Sequence, residues 1–173
     1  MLIDRCITNS LMYLSPRQRY LILFMLILRR GRLKLNEVVA ECLRLGLKCK
    51  SIEKYLLELV NKGDIVFDGE KYVLNECLQH YANTLYDLIE DLRRLEEQVM
   101  LGNMDTAYVV SRILTIPAIL ITLASSEEVD EYSKSIYAFI TILQLELFTT
   151  LSKVNKNFRE MIKSIESALS STD

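Results

Sequence analysis

Residues 50–74, KSIEKYLLELVNKGDIVFDGEKYVL, restrict the possible fold more than any other part of the chain. The first part repeats apolar residues at helical spacing, and Gly63 then supplies the left-handed backbone conformation in which many helices end. The second part has two β-prone runs, Ile65–Phe67 and 71–74. Between them stands Asp68-Gly69, a dipeptide typical of tight hairpin turns. The stretch therefore predicts a helix that leads directly into a two-stranded hairpin.

Two more helices are predicted upstream of this segment. Ser15-Pro16 marks a helix start, because serine is a favoured N-cap and proline fits the first helical turn. That helix runs to Gly31 and is apolar on all sides in its middle, which is typical of burial by several neighbours. A short β-like link over 32–35 follows, and Asn36 is predicted to cap a second helix that ends at Gly46. Residues before Ser15 are left as a short helix or arm that packs on the rest.

The resulting order of helix, short strand, helix, turn, helix and hairpin resembles the winged helix-turn-helix family over residues 15–75. The resemblance rests on apolar positions and turns, namely Leu35, Val38-Val39-Ala40, Ser51-Ile52, Leu56, Leu59, Lys62-Gly63-Asp64-Ile65 and Tyr72-Val73-Leu74. It implies that the third helix, capped by Ser51, enters the major groove of double-stranded DNA with its N-terminal residues towards the bases. The residues implied to meet the major groove are Lys48, Lys50, Ser51, Lys54 and Tyr55. Those implied to hold flanking phosphates are Arg30, Arg32, Lys34 and Lys71.

The charge distribution gives this interpretation partial support. Residues 1–76 carry 13 Lys and Arg against 9 Asp and Glu, whereas residues 77–173 carry 8 against 14. The half that contains the hairpin is thus the basic half, as expected for a nucleic-acid partner. Four acidic residues weaken the case for DNA, because acidic side chains repel phosphate. They are Glu53 and Glu58 on the third helix and Asp68 and Glu70 beside the turn.

From Asn75 the pattern changes to long helices. Asn75 is predicted to cap a helix over 76–101 that Gly102 ends. An apolar seam at heptad spacing runs along it, made of Leu78, Tyr81, Leu85, Leu88, Leu92, Leu95 and Val99. We interpret this seam as a dimerisation surface, since two-fold pairing is the commonest way to cover one. The layout is similar to that of PadR-like regulators, with a winged helix at residues 1–75 and a helical bundle or coiled coil for dimerisation at 76–173.

Two further helices complete the predicted bundle. One begins at Asp105 or Thr106 and is bent or divided by Pro117, which removes a backbone donor. The last begins at Ser125 or Ser126 and runs to about residue 169. Its apolar seam contains a four-residue step between Leu147 and Leu151, which predicts local unwinding of any supercoil. The predicted fold class is therefore mainly α, with a small β-hairpin wing.

Several classes of function have no support in the sequence. One histidine, His80, is too few for acid–base chemistry, and no phosphate loop, GxSxG or HExxH motif occurs. The four cysteines match no common zinc spacing and are interpreted as small hydrophobes, so we expect no metal, no cofactor and no enzyme activity. Neither a membrane-spanning run nor a secretory signal is evident, so no membrane partner is expected and the predicted location is the cytoplasm. Any small-molecule effector is unknown.

The sequence thus leaves two hypotheses of different kinds. The first is a DNA-binding transcriptional regulator that acts as a homodimer through a winged helix. The second is a non-catalytic winged-helix module that binds protein in a larger transcription or replication assembly, which the acidic wing favours. DNA affinity that falls steeply with salt separates the first from the second.

Overall fold

The computed structural model describes residues 1–103, 105, 108–109, 111–112 and 129–171, with the backbone alone at positions 49 and 169. The described chain is mainly helical with one small antiparallel sheet, which confirms the predicted class. Its elements are α1 (Leu2–Tyr13), α2 (Pro16–Leu28), α3 (Leu35–Arg44), α4 (Ile52–Asn61), β1 (Ile65–Phe67), β2 (Tyr72–Leu74), α5 (Glu76–Leu101), α6 (Glu131–Val154) and α7 (Lys156–Ser170).

The hairpin forms where the sequence predicts it. Ile65 pairs with Leu74 and Phe67 with Tyr72 across the two strands. The turn is held by Asp68, whose carboxylate accepts hydrogen bonds from the backbone amides of Glu70 and Lys71 at 3.0 and 2.8 Å. The link after α2 joins the same sheet, because Leu33 forms an antiparallel bridge with Tyr72. The predicted β-like link is therefore paired with the second strand of the hairpin.

The long helix α5 has the predicted ends. The Asn75 carboxamide accepts a hydrogen bond from the amide of Leu78 at 2.7 Å, so Asn75 is the N-cap. At the other end Gly102 has φ 72°, the left-handed conformation that favours glycine. Ser15 also caps α2 as predicted, accepting from the amide of Gln18 at 3.4 Å.

Three predictions about helix caps and ends differ from the structure. Asn36 is not a cap, because α3 begins one residue earlier, at Leu35, and the Glu37 carboxylate binds the backbone amide of Lys34. Ser51 stands at the N-cap position of α4 but makes no capping hydrogen bond, since a short 3-10 turn over Cys49–Ser51 precedes the helix. The last predicted helix is two helices, which separate at Asn155.

The break at Asn155 has a side-chain cause. Its backbone is extended, with φ −123° and ψ 112°, and its carboxamide oxygen accepts from the amide of Phe158 to cap α7. Its amide nitrogen donates to the carbonyl oxygen of Val99 at 2.9 Å. α6 is continuous through Leu147 and Leu151, and the interruption comes about one turn later.

Predictions on the intervening segment are only partly testable. The helix expected from Asp105 or Thr106 is described at residues 108–109 and 111–112, which are helical. Pro117 and the start expected at Ser125 or Ser126 lie outside the described residues. The first described turn of α6 is instead capped by Asp130, whose carboxylate accepts from the amides of Tyr132 and Ser133.

One continuous apolar core holds the described elements together. α2 is central, because it packs against α3 and α4 on the hairpin side and against α5 and α6 on the other. α1 packs against α6, α5 and α2, so residues assigned to the N-terminal domain help to cover the long helices. The elements before and after residue 75 therefore share one apolar core, although their sequence patterns differ.

In the described part of the chain, one helix, α6, has the length and apolar composition needed to cross a membrane. Its side chains Phe139, Ile140, Leu143 and Leu147 are fully buried against neighbouring helices. A core helix of a globular fold passes the same test, so the helix is weak evidence for a membrane.

Candidate nucleic-acid interface

The outer face of α4 is free of contacts that would bury it. Ile52, Leu56 and Leu59 anchor the helix in the core. The opposite face presents exposed side chains of Lys50, Glu53, Lys54, Leu57 and Asn61, and Lys48 is exposed just before the helix. These positions follow the three- and four-residue spacing of one helical face. α4 therefore offers a surface with two lysines near its N-terminus, as the sequence predicts.

Ser51 and Tyr55 are less available than the sequence analysis assumes. Both are half-buried. The ring of Tyr55 stacks on that of Tyr20 of α2, with centroids 4.6 Å apart and an interplanar angle of 17°. The Tyr20 hydroxyl in turn donates to the carbonyl oxygen of Lys48 at 3.1 Å. Tyr55 thus braces α4 and the turn before it against α2.

Two of the flanking cations form ion pairs with carboxylates of the hairpin turn. Arg32 lies 3.0 Å from the carboxylate of Asp68, and Lys34 lies 2.6 Å from that of Glu70. The backbone amides of Lys71 and Glu70, assisted by Arg32, lower the pKa of Asp68 below its usual value, so the carboxylate stays charged.

Arg30 and Lys71 complete the predicted phosphate set. Arg30 is exposed and has no ion-pair partner among the residues that the structure describes, whereas Lys71 is half-buried. Of the four flanking cations, Arg32 and Lys34 are thus paired with described carboxylates, whereas Arg30 and Lys71 are not, and Arg30 is the more exposed of these two.

The predicted dimerisation seam is covered within a single chain. Leu78, Leu85, Leu92, Leu95 and Val99 are buried, and Tyr81 and Leu88 are half-buried. Their neighbours are α1, α2 and α6, which pack along α5. Tyr81 also donates a hydrogen bond to the Asp130 carboxylate at 2.9 Å. In this arrangement a second copy cannot reach the seam unless the helices separate.

Three apolar residues near the candidate interface are exposed and were not identified from the sequence. Leu57 is 59% exposed in the middle of the outer face of α4. In the hairpin, Val66 is 48% and Phe67 43% exposed. A sequence signal existed for Leu57, because it lies about 100° around the helix from Leu56 and so falls off the buried face. For Val66 the signal is the alternation of a strand, in which the neighbouring Ile65 points inward.

A polar junction connects the start of α6 to the N-terminal elements. Glu131 pairs with Arg17 of α2 at 3.1 Å and with Lys62, at the end of α4, at 3.5 Å. Tyr132 lies beside Asp64, a buried residue just before β1. Burial and the adjacent Asp64 carboxylate raise the pKa of the Tyr132 phenol, which stays protonated. The junction fixes α4 and the hairpin relative to α6.

No group of three or more metal-ligating side chains occurs in the described part of the chain. His80 is exposed on α5, and its ring lies 6.2 Å from that of Tyr81. Cys6 and Cys42 are buried and Cys77 is exposed. Burial raises the pKa of Cys6 despite its contact with Thr150, so this thiol is a poor nucleophile at neutral pH.

Comparison with known proteins returns no relative. No protein-family model matches the chain, and neither a curated protein nor a solved structure is significantly similar to it. Function therefore has to be argued from the geometry alone.

Proposed function

We propose that the protein is a cytoplasmic DNA-binding transcriptional regulator whose residues 16–75 form a winged helix-turn-helix. The observation that carries the proposal is the bridge between Leu33 and Tyr72, which joins the link after α2 to the hairpin. Through this bridge the link after α2 pairs with β2, and β2 pairs with β1. A winged helix is expected to have this strand pairing, in the order helix, strand, helix, helix and two strands. The outer face of α4 is left uncovered, which is what a recognition helix requires.

The cations available to DNA in this proposal form two groups. Lys48, Lys50 and Lys54 lie exposed at and before the N-terminus of α4, where backbone amides and the helix dipole also favour phosphate. Arg30 is free at the side, and Arg32 and Lys34 are held in solvent-exposed ion pairs. Such pairs contribute little stability, so both side chains can exchange their carboxylates for phosphate at small cost.

We test this proposal by charge reversal with a matched control. Lys50→Glu combined with Lys54→Glu changes the proposed interface, while Lys134→Glu with Lys153→Glu makes the same net change at exposed positions on α6. Fluorescence anisotropy with random and genomic duplexes measures affinity at low salt. We expect the first pair to abolish or greatly weaken binding and the second to reduce it modestly. Absence of binding by the unaltered protein at low salt rejects the proposal.

The proposed active form is a homodimer, which gives a winged helix two half-sites. Because the α5 seam is buried, the pairing surface has to be sought elsewhere. α7 is the best candidate, since its apolar residues Met161, Ile162 and Ile165 are only half-buried and Val154 beside it is exposed. Light scattering should give twice the chain mass of 20.1 kDa, and Ile162→Glu should return it to the monomer value.

A second candidate is the protein-interaction module. It is favoured by the exposed apolar residues Leu57, Val66 and Phe67, because surface aromatic and aliphatic side chains are common anchors at protein interfaces. It predicts a stable complex that Leu57→Asp disrupts and that Lys50→Glu with Lys54→Glu leaves intact. The DNA-binding proposal predicts that Lys50→Glu with Lys54→Glu weakens DNA affinity more than Leu57→Asp does. The two sets of variants therefore separate the candidates.

A further inference from the structure

A cleft of about 450 Å³ lies where α1, α2, α3 and α5 meet. Its size falls in the range of roughly 300–1,000 Å³ that small-molecule sites occupy. All of the residues that line it belong to the described elements and to the link at Leu33, so its shape does not depend on the segment between α5 and α6.

The floor of the cleft is apolar. It is formed by side chains from all four helices and from the link after α2, namely Ile7, Leu26, Ile27, Leu33, Leu45 and Ile89. Ile7, Ile27 and Ile89 are buried, and the other three are half-buried. A ligand that covers this floor gains from removing apolar surface from water, which favours an apolar group on the side that faces the floor.

The rim is charged, and two of its three arginines are already held in ion pairs. Arg93 lies 2.7 Å from the Asp4 carboxylate and 3.1 Å from that of Glu90. Arg44 lies 2.9 Å from the Glu41 carboxylate. Arg30, the third arginine of the lining, is exposed and has no ion-pair partner among the described residues. The mouth of the cleft therefore offers one uncompensated guanidinium.

The ring of Tyr86 forms part of the wall of the cleft. The guanidinium carbon of Arg29 lies 3.4 Å from the centroid of this ring, a cation–π contact, although Arg29 does not itself line the cleft. Arg30 is therefore the cation that favours an anionic ligand group at the mouth.

We propose that this cleft binds an amphipathic monocarboxylate, such as a medium-chain fatty acid. The alkyl chain lies on the apolar floor and the carboxylate accepts two parallel hydrogen bonds from the Arg30 guanidinium, the geometry that arginine favours. A polyphosphate fits less well, because Arg44 and Arg93 already serve carboxylates of the chain. This inference concerns a cleft apart from the outer face of α4 and does not require DNA binding. It shares Arg30 with the proposed phosphate contacts, so a bound carboxylate and a DNA phosphate would compete for that guanidinium.

The test is calorimetric titration of the full chain with hexanoate, octanoate and decanoate below their micellar concentrations. We expect one site per chain and an affinity that rises roughly four-fold with each added methylene, the value for burying a CH₂ group. Decanol, which has the chain without the charge, should bind at least about ten-fold more weakly than decanoate. Lack of binding, or affinity independent of chain length, overturns the proposal.

Arg30→Gln tests the anchoring charge, with Arg5→Gln as the matched control because Arg5 is exposed on α1 and does not line the cleft. We expect Arg30→Gln to weaken decanoate binding at least about ten-fold, as for loss of a charge-assisted hydrogen bond, and to leave decanol binding unchanged. Arg5→Gln should change neither. Equal weakening by both variants would assign the effect to general surface charge and reject the proposed anchor. Thermal melts of both variants establish that they are folded.

Discussion

Leu33 and Tyr72 exchange two backbone hydrogen bonds, with N–O distances of 3.1 Å from Leu33 to Tyr72 and 2.8 Å in return. This pair closes the sheet on the side of the link, so that the hairpin is held by α2 as well as by α4 and α5. Because Arg32 and Lys34 flank Leu33, the pair also places their charges against the carboxylates of Asp68 and Glu70. The position of the hairpin therefore depends on one residue outside it.

Leu33→Pro removes the amide that donates to Tyr72 while keeping the residue apolar. We expect the free energy of unfolding to fall by roughly 1–3 kcal/mol, because a ladder hydrogen bond is lost and a carbonyl group is left without its donor. Hydrogen exchange at the hairpin amides should accelerate. Leu33→Ala keeps both backbone hydrogen bonds and should leave those amides protected, and loss of protection in both variants would contradict this role.

Glu96 holds the start of α1 against α5. It is 5% exposed, and its carboxylate accepts from the amides of Leu2 and Ile3 at 2.8 and 3.0 Å. The negative charge also suits the positive end of the helix dipole. We expect Glu96→Gln to lower the free energy of unfolding by roughly 1–3 kcal/mol, measured by denaturant titration. Glu97→Gln, at an exposed neighbouring position, should change it by less than about 0.5 kcal/mol.

Asn155 joins the break between α6 and α7 to the end of α5. Asn155→Ala removes both the cap of α7 and the hydrogen bond to the Val99 carbonyl. The expected cost is roughly 1–2 kcal/mol in denaturant titration, as for other lost N-caps. Asn157→Ala, two residues further and exposed, serves as control. Equal stability of the two variants would show that the break is set by the backbone alone.

Asp130 gives the stability of the fold a defined pH dependence. Burial tends to raise its pKa, but hydrogen bonds from Ser133, Tyr81 and the amide of Tyr132 outweigh burial and lower the pKa below the usual 3.8. A lowered pKa in the folded state means that the stabilisation is complete above 3.8 and is lost as the pH falls through the folded-state value.

Asp130→Asn removes this titration. We therefore expect the stability difference between the unaltered protein and the variant to be constant near neutral pH and to shrink below about pH 4. Chemical denaturation from pH 6 to pH 2.5 measures it. A difference that stays the same over this range would assign the role of Asp130 to hydrogen bonding without charge.

Local signals were enough to predict the regular elements. Ser15, Asn75 and Gly102 mark helix ends through contacts within a few residues, and Asp68-Gly69 likewise marks the turn. The break at Asn155 was missed because it depends partly on the carbonyl of Val99, 56 residues away in the chain. Local patterns cannot report such a contact.

The functional surfaces were predicted less well, for a related reason. An apolar seam such as Leu85, Leu92 and Val99 records that one helix face is buried, but not whether the partner belongs to the same chain. Here α1, α2 and α6 of the same chain supply the partners. Tyr55 was assigned to the outer face because its stacking on Tyr20 is a tertiary contact. The exposed lysines of α4 were predicted correctly as surface residues, since they lie off the apolar stripe.

The salt dependence of duplex DNA affinity tests the central claim most directly. If Arg30, Lys48, Lys50 and Lys54 each neutralise one phosphate, the logarithm of the association constant should fall against the logarithm of salt concentration with a slope of about −3 to −4 per copy. Replacing Lys50 and Lys54 together should reduce the slope by about 2. No measurable binding at low salt, or affinity that does not respond to salt, would contradict the account.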